Sequence, residues 1–362
     1  MARVFAVASA IAIAGTLAGA VAAQAATRNV TAGPPVQQRP AGVPRDADTN
    51  AFYPRTVTIH RGDRVQWRIN GFHTVTLPRR GNRPPEFVVP DPANPVSGVV
   101  DAAGAPFWFN GQPRFIANPL VAFKQGGGAY TGRRLLNSGV PAGAGAPPPY
   151  TVRFPATGTY RYYCAIHVGN PDMQGTVRVV SGRRSIPSAA ETRREASRQF
   201  ARAIVQVKRD DRFAGPQGNA VAAGVDSPIS TLFRFRPATK TVKAGTTVTW
   251  QMPQRSNEAH TVTFGPPDFL HTQAEALITP AAGGVLAVNP LAVFPSEPPP
   301  TLPPYPGAQH HGNGYFNTGF IDRDPRSQPP PSVGVTFATP GTYSYVCLLH
   351  EQPMKGQIIV TP

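Results

Sequence analysis

Acidic residues, cysteine and long apolar runs are what this sequence has least of. Asp and Glu number 19 against 35 Lys and Arg, so the formal net charge is +16 over 362 residues. A field of that sign favours acidic partners, anionic cell-envelope polymers or membrane surfaces. Nucleic acid is the other usual partner of a basic chain, but the Arg residues are scattered and form no groove-reading motif, so that class is set aside. Charged residues make up only 15% of the chain, whereas Pro (43) and Gly (35) are abundant. That mixture disfavours long helices and suits short strands joined by turns and irregular loops, which makes an all-β fold the expectation. The length allows two or three domains.

Only the N-terminus is continuously apolar. Arg3 precedes a run from Val4 to about Ala22, and Ala23-Gln24-Ala25 is a small-x-small cleavage site. Residues 1–25 therefore read as a signal peptide, with an uncleaved anchor as the alternative, and the mature chain is expected outside the cytoplasm or in the cell envelope. No Cys lies near the cleavage point, which excludes a lipoprotein anchor, and no later stretch is apolar enough for a transmembrane segment. The only two Cys are Cys164 and Cys347. In an exported chain two Cys usually mean one disulfide, but their positions argue otherwise.

Those positions belong to a repeat. Phe52, Pro54, Gly62, Val65 and Trp67 recur as Phe235, Pro237, Gly245, Val248 and Trp250, each pair 183 residues apart. The same offset carries Phe154, Gly158, Tyr160, Tyr162, Cys164 and His167 onto Phe337, Gly341, Tyr343, Tyr345, Cys347 and His350. Smaller shifts relate His73-Thr74-Val75-Thr76 to His260-Thr261-Val262-Thr263, and Asn137-Ser138-Gly139 to Asn317-Thr318-Gly319. A tandem duplication follows. Within each copy, period-two runs such as Arg64–Ile69 and Thr247–Trp250 predict short strands of an antiparallel sandwich. The organisation expected is domain 1 over 26–182, a helical linker over 183–213 and domain 2 over 214–362. In the linker Ser188 caps, Glu191 completes a capping box, and Phe200, Ile204 and Val207 share a face. The Pro- and Gly-rich insertions, roughly 79–149 and 265–331, are expected to be surface loops with at most short strands.

Each copy ends with the same chemistry. Cys164 and His167 are followed by Met173, and Cys347 and His350 by Met354; the second imidazole, His73 or His260, lies at the end of the early Trp-bearing strand. One soft thiolate, two imidazoles and a distant thioether suit copper, with the thiolate and imidazoles roughly trigonal and a weak axial sulfur. A disulfide between the two Cys would require equivalent points of two separate sandwiches to meet. These residues resemble the cupredoxins, specifically the plastocyanin and amicyanin group of small blue copper proteins. The resemblance covers both copies but not the signal, the insertions or the linker. It implies a Greek-key sandwich in each copy and two copper ions, one held by His73, Cys164, His167 and Met173, the other by His260, Cys347, His350 and Met354. The spacing between the last His and Met departs from the plastocyanin pattern, being five residues in one copy and three in the other.

The resemblance implies electron transfer with a redox partner protein, expected to be acidic, through an exposed edge of His167 or His350. Copper storage or delivery is the alternative. A multicopper oxidase or nitrite reductase is disfavoured, because neither Cys has a His neighbour and four scattered His cannot easily build a second cluster. No enzymatic activity is expected. The spare His are His60, read as a solvated strand end, His271, and His310-His311, read as loop residues exposed in a Gly-rich segment.

Overall fold

The computed structural model describes residues 25–36, 38–141, 147–169, 173–254, 256, 258–299, 304–305, 307–324 and 329–362. Residues 1–24, most of the stretch expected to be a signal peptide, lie outside the described residues. The fold is all-β, organised as five sheets with few helices.

The first sandwich joins two five-stranded sheets. One orders Phe52–Tyr53, Thr27–Ala32, Arg64–Ile69, Tyr150–Arg153 and Gly128–Ala129; the other orders Leu136–Asn137, Thr76–Leu77, Gly158–Tyr163, Gln174–Val180 and Thr56–His60. The turn at Gly62, with φ of 98°, sends the chain from one sheet to the other, so the strands flanking it do not pair. Pairing is mostly antiparallel, yet Thr27–Ala32 runs parallel to Arg64–Ile69, and Gln174–Val180 parallel to Thr56–His60. The second pair of sheets repeats the scheme with Ser230–Arg236, Ala220–Ser227, Thr246–Gln251 and Ser332–Phe337 facing Thr239–Lys243, Lys355–Thr361, Gly341–Val346, Thr263–Phe264 and Phe316–Asn317. Its outermost strand, Ala47–Asp48, comes from the N-terminal half and pairs with Thr231 and Leu232.

Alternation fixes which faces are buried. In Arg64–Ile69, Val65, Trp67 and Ile69 are inside while Arg64 and Arg68 are outside. The repeat positions form the same aromatic group in both cores. Tyr162 packs edge-on to Phe52 at 4.8 Å and to Trp67 at 5.1 Å. Tyr345 meets Phe235 at 4.7 Å and Trp250 at 5.1 Å in the same way. Gly175 and Gly356 sit directly over these Tyr rings, where a Cβ would come within 2.0 and 2.4 Å, which explains the Gly two residues after each Met.

Helix Ala189–Asp210 carries the expected Ser188–Glu191 capping box. Its buried side chains are Thr192, Phe200, Ala203 and Val207, with Ile204 only partly covered. Phe200 packs on Tyr53 of the N-terminal half, whereas Val207 joins Val225 and Leu232 of the C-terminal half.

The insertions do carry short strands, but among the described residues these pair with one another rather than standing as separate surface loops. Val88–Pro95 and Pro113–Ala117 from one join Val285–Val288 and Ile278–Ala281 from the other in a four-stranded sheet, linked by Ala117 to Leu286 and Ile116 to Ala287. Proline is accommodated because the strands with internal Pro, Val88–Pro95 and Ile278–Ala281, take the two edges, where a missing N–H breaks no central ladder. Beside this sheet lies a third core containing Phe107, Phe109, Leu270, Leu291, Tyr315 and Leu348. Phe109 stacks on Phe294 at 5.2 Å, and the Trp108 indole N–H donates to the Pro295 carbonyl at 2.9 Å.

Phe109→Ala is therefore expected to destabilise the full chain by about 3–5 kcal/mol, the cost of emptying a packed aromatic site. Urea unfolding reads it; a loss within about 0.5 kcal/mol, as for a surface position, would mean that the insertions do not share a core.

Candidate metal centres

His73, Cys164 and His167 converge from two places in the first sandwich, and the local sequence explains how. Cys164 follows strand Gly158–Tyr163 and is pinned there, its N–H donating to the Met173 carbonyl at 2.9 Å. The chain then turns, so His167, three residues on, swings back over the sulfur. His73 follows strand Arg64–Ile69 in the opposite sheet. Cys164 Sγ lies 3.4 Å from His167 Nδ1 and 3.9 Å from His73 Nδ1, and the two Nδ1 atoms are 3.3 Å apart. The second group matches it, with Cys347 Sγ 3.7 Å from His260 Nδ1 and 3.6 Å from His350 Nδ1. The imidazole centroids are 5.0 and 5.1 Å apart, and both ring pairs meet at 64°. Both Cys are free and fully buried, as are Met173 and Met354, whose backbones hold the Cys N–H groups.

The donor triangles fit a metal ion of ordinary size. Bonds of about 2.0 Å to nitrogen and about 2.3 Å to sulfur in a trigonal plane place donors roughly 3.5–3.7 Å apart. The charges fit as well. Burial alone would raise the Cys164 thiol, but His167 and His73 outweigh it and hold Cys164 well below the ordinary thiol range. Cys347 is lowered in the same manner by His260 and His350.

The threonines and asparagines around each sulfur, visible in the sequence as repeat positions but without an assigned task, recur as faithfully as the donors. Thr74 donates its backbone N–H to Cys164 Sγ at 3.3 Å, while its Oγ1 accepts from the Ala165 N–H at 2.8 Å. Thr261 does the same for Cys347 at 3.4 Å and Leu348 at 2.8 Å. Thr76 and Thr263 then donate to Asn137 and Asn317, both at 2.8 Å. The matching Asn-Ser-Gly and Asn-Thr-Gly turns thus tie the His-bearing segments down. Each Asn also donates to a carbonyl of a four-residue helix, Pro119–Ala122 or Pro290–Val293. Asn118-Pro119-Leu120 recurs as Asn289-Pro290-Leu291 within the insertions, a signal readable in the sequence. Glycine completes each pocket: a Cβ on Gly33 would reach 3.0 Å from the His73 ring, and one on Gly224 would come 2.5 Å from His260 Nε2.

The outer face of the first group differs from the expected exposed edge. His167 is only 5% exposed, and its Nε2 lies 2.8 Å from Glu258 Oε1, which also accepts from Asn50 Nδ2 at 2.7 Å. Glu258 stands two residues before His260, so the two groups face one another across its carboxylate. Burial opposes its charge, but His167, then His350 and His260, outweigh burial and lower its pKa. For His167, burial is outweighed by Glu258 and Cys164, which raise its pKa well above the imidazole range. His350 is half-buried and stacks on Phe233 at 4.3 Å.

No family model matches this chain, and no curated protein does. Among solved structures it is similar to the oxidised plastocyanin of Dryopteris crassirhizoma, at 19% identity over 39% of this chain and 99% of that one, with a TM-score of 0.21. It is similar too to a Cu(I) amicyanin mutant, at 16% identity over 41% of this chain and 95% of that one, TM-score 0.21. A purple cupredoxin from Nitrosopumilus maritimus gives 16% identity, 39% and 98% coverage, and a TM-score of 0.19.

The spare His divide. His60 Nε2 contacts the Arg184 carbonyl at 2.8 Å, and His271 is exposed beside Glu275 and Glu351. His310 and His311 are not exposed loop residues: their side chains are 19% and 17% accessible and face Glu297. Among the described residues no helix is long and apolar enough to cross a membrane.

Gly224→Ala is expected to lower stability by about 1–3 kcal/mol more than Gly218→Ala. Both glycines have positive φ, but only the first would place a methyl against His260. Equal losses in denaturant midpoints would show that His260 does not depend on the close approach.

Proposed function

We propose that this chain is an exported type 1 copper protein that transfers electrons, with one copper in each sandwich. The observation that carries the reading is the recurrence of one buried thiolate and two Nδ1 donors in a near-trigonal triangle, each assembled from two stretches of chain about 90 residues apart. His73, Cys164, His167 and Met173 would hold one ion, and His260, Cys347, His350 and Met354 the other, within domains over 26–182 and 214–362. Copper bound there supplies a one-electron couple whose geometry suits both oxidation states. The protein's part is to hold the donors still: threonine, asparagine and glycine contacts fix each Cys and His before any ligand arrives. Apolar cores exclude water from both sulfurs.

An electron carrier is favoured over an oxidase because no His flanks either Cys. The contact of Glu258 with His167, two residues from His260, supports electron exchange within the chain. Exchange with a partner would use the half-buried His350–Phe233 side, and the +16 net charge suits an acidic redox protein or an anionic envelope surface. An extracellular or periplasmic location follows from reading residues 1–25 as a signal peptide.

Copper titration of the full chain is expected to develop an intense visible sulfur-to-copper band that saturates with two coloured equivalents, one per thiolate. Cys164→Ser and Cys347→Ser should each remove one equivalent and about half of the colour. A copper-loaded but colourless, redox-silent protein would end the proposal.

Glu258→Gln removes a negative charge from beside His167. It is expected to weaken copper at the first centre by about 10–100-fold and to raise that centre's reduction potential, since Cu(II) loses more stabilisation than Cu(I). Voltammetry on the Cys347→Ser background isolates the effect; an unchanged potential would mean that the carboxylate does not act on the first centre.

A further inference from the structure

Glu297, His310 and His311 lie far from both Cys groups in sequence and belong to neither. They offer one carboxylate oxygen and two imidazole nitrogens within 4.8 Å of one another. Glu297 Oε1 is 2.6 Å from His310 Nε2 and 2.9 Å from His311 Nε2, so both rings point at one oxygen. On its other side His311 Nδ1 lies 2.9 Å from Asp101 Oδ2. Asp101 is itself fixed, its Oδ1 accepting from the N–H groups of Ala103 at 3.0 Å and Ala105 at 2.8 Å.

We propose that Glu297, His310 and His311 form a third metal site, for a divalent first-row cation such as zinc, with Asp101 orienting His311. Carboxylate with imidazole is the donor set that zinc-type ions accept without thiolate. A metal-ligating His characteristically hands its second N–H to a carboxylate, which fixes the ring and strengthens the donor. His311 has that arrangement already. Binding would open the present contacts to about 3.3 Å, the separation of donors about 2.0–2.2 Å from a tetrahedral ion. The side chains retain 17–19% exposure, which leaves a route for the ion and room for water at a fourth position.

The backbone is built around the same point. His311 adopts a left-handed conformation, with φ of 49°, uncommon for a residue with a side chain. Its carbonyl accepts from the Ala102 N–H at 3.0 Å. Gly312 follows so closely on this segment that a Cβ would fall 2.5 Å from the Ala103 nitrogen. Asp101 comes from the first insertion and the other three residues from the second. The ion would therefore clip the two insertions together beside their shared core, where Phe107 packs against His311 at 4.6 Å.

The test is calorimetric Zn²⁺ titration of the full chain carrying Cys164→Ser and Cys347→Ser, so that no thiolate competes and the outcome is independent of the copper proposal. One equivalent is expected, with a raised thermal midpoint. Adding Glu297→Gln should weaken it at least about tenfold and abolish the thermal shift, and Asp101→Asn should weaken it by about 10–100-fold. His310→Gln is the second variant should Glu297→Gln fold poorly. No stoichiometric Zn²⁺ binding, or binding indifferent to Glu297 and His310, would overturn the site and leave an ion-pair cluster.

Discussion

A thiolate inside an apolar core is tolerable only when N–H donors and positive charge surround its sulfur. Much of this structure answers that requirement, twice. Two imidazoles and a threonine N–H face each sulfur. Each threonine is held by a second threonine, and that one by an asparagine whose amide reaches a short capped helix. The chain of contacts runs from the sulfur out to the insertions, so the pockets are stiffened by parts of the sequence that give them neither thiolate nor imidazole.

The insertions change the character of the molecule. Two sandwiches joined by a helix alone would be free to choose their relative orientation. Here the shared four-stranded sheet, the aromatic core around Phe109, the Ala47–Asp48 strand lent to the second sandwich and the helix contacts all cross between the halves. Arg234, which pairs with Asp46 and Asp211, ties the lent strand and the helix end to the same sheet. The consequence is felt at the centres, because only a fixed arrangement can keep Glu258 of one half against His167 of the other.

That contact also revises the comparison with single-sandwich carriers. The resemblance led to an exposed imidazole edge in each copy, and His167 instead ends on a buried carboxylate. The outer face of the first group is internal. His350, stacked on Phe233, keeps the more open position, so the two groups are alike around the sulfur and unlike at the outer face of the second histidine.

The sequence by itself determined the strands and the recurrence of the same residue types along the chain. The 183-residue register fixes which residues are equivalent, and period-two alternation fixes which side of each strand is buried; both are properties of short stretches of chain. Even the asparagine turns were visible, though their task was not. Tertiary structure decided what depends on distant segments meeting. Pro-rich strands became sheet edges because central strands from the other half were there to pair with them. Gly224 proved necessary because His260 packs against it, and Gly33 because the Asn70 carbonyl and then the His73 ring lie there. His310 and His311 looked like exposed loop residues, since Glu297 and Asp101 reach them only when the two insertions fold together. Local pattern encodes burial and chemistry, whereas contact between remote segments is set by the packing of the whole.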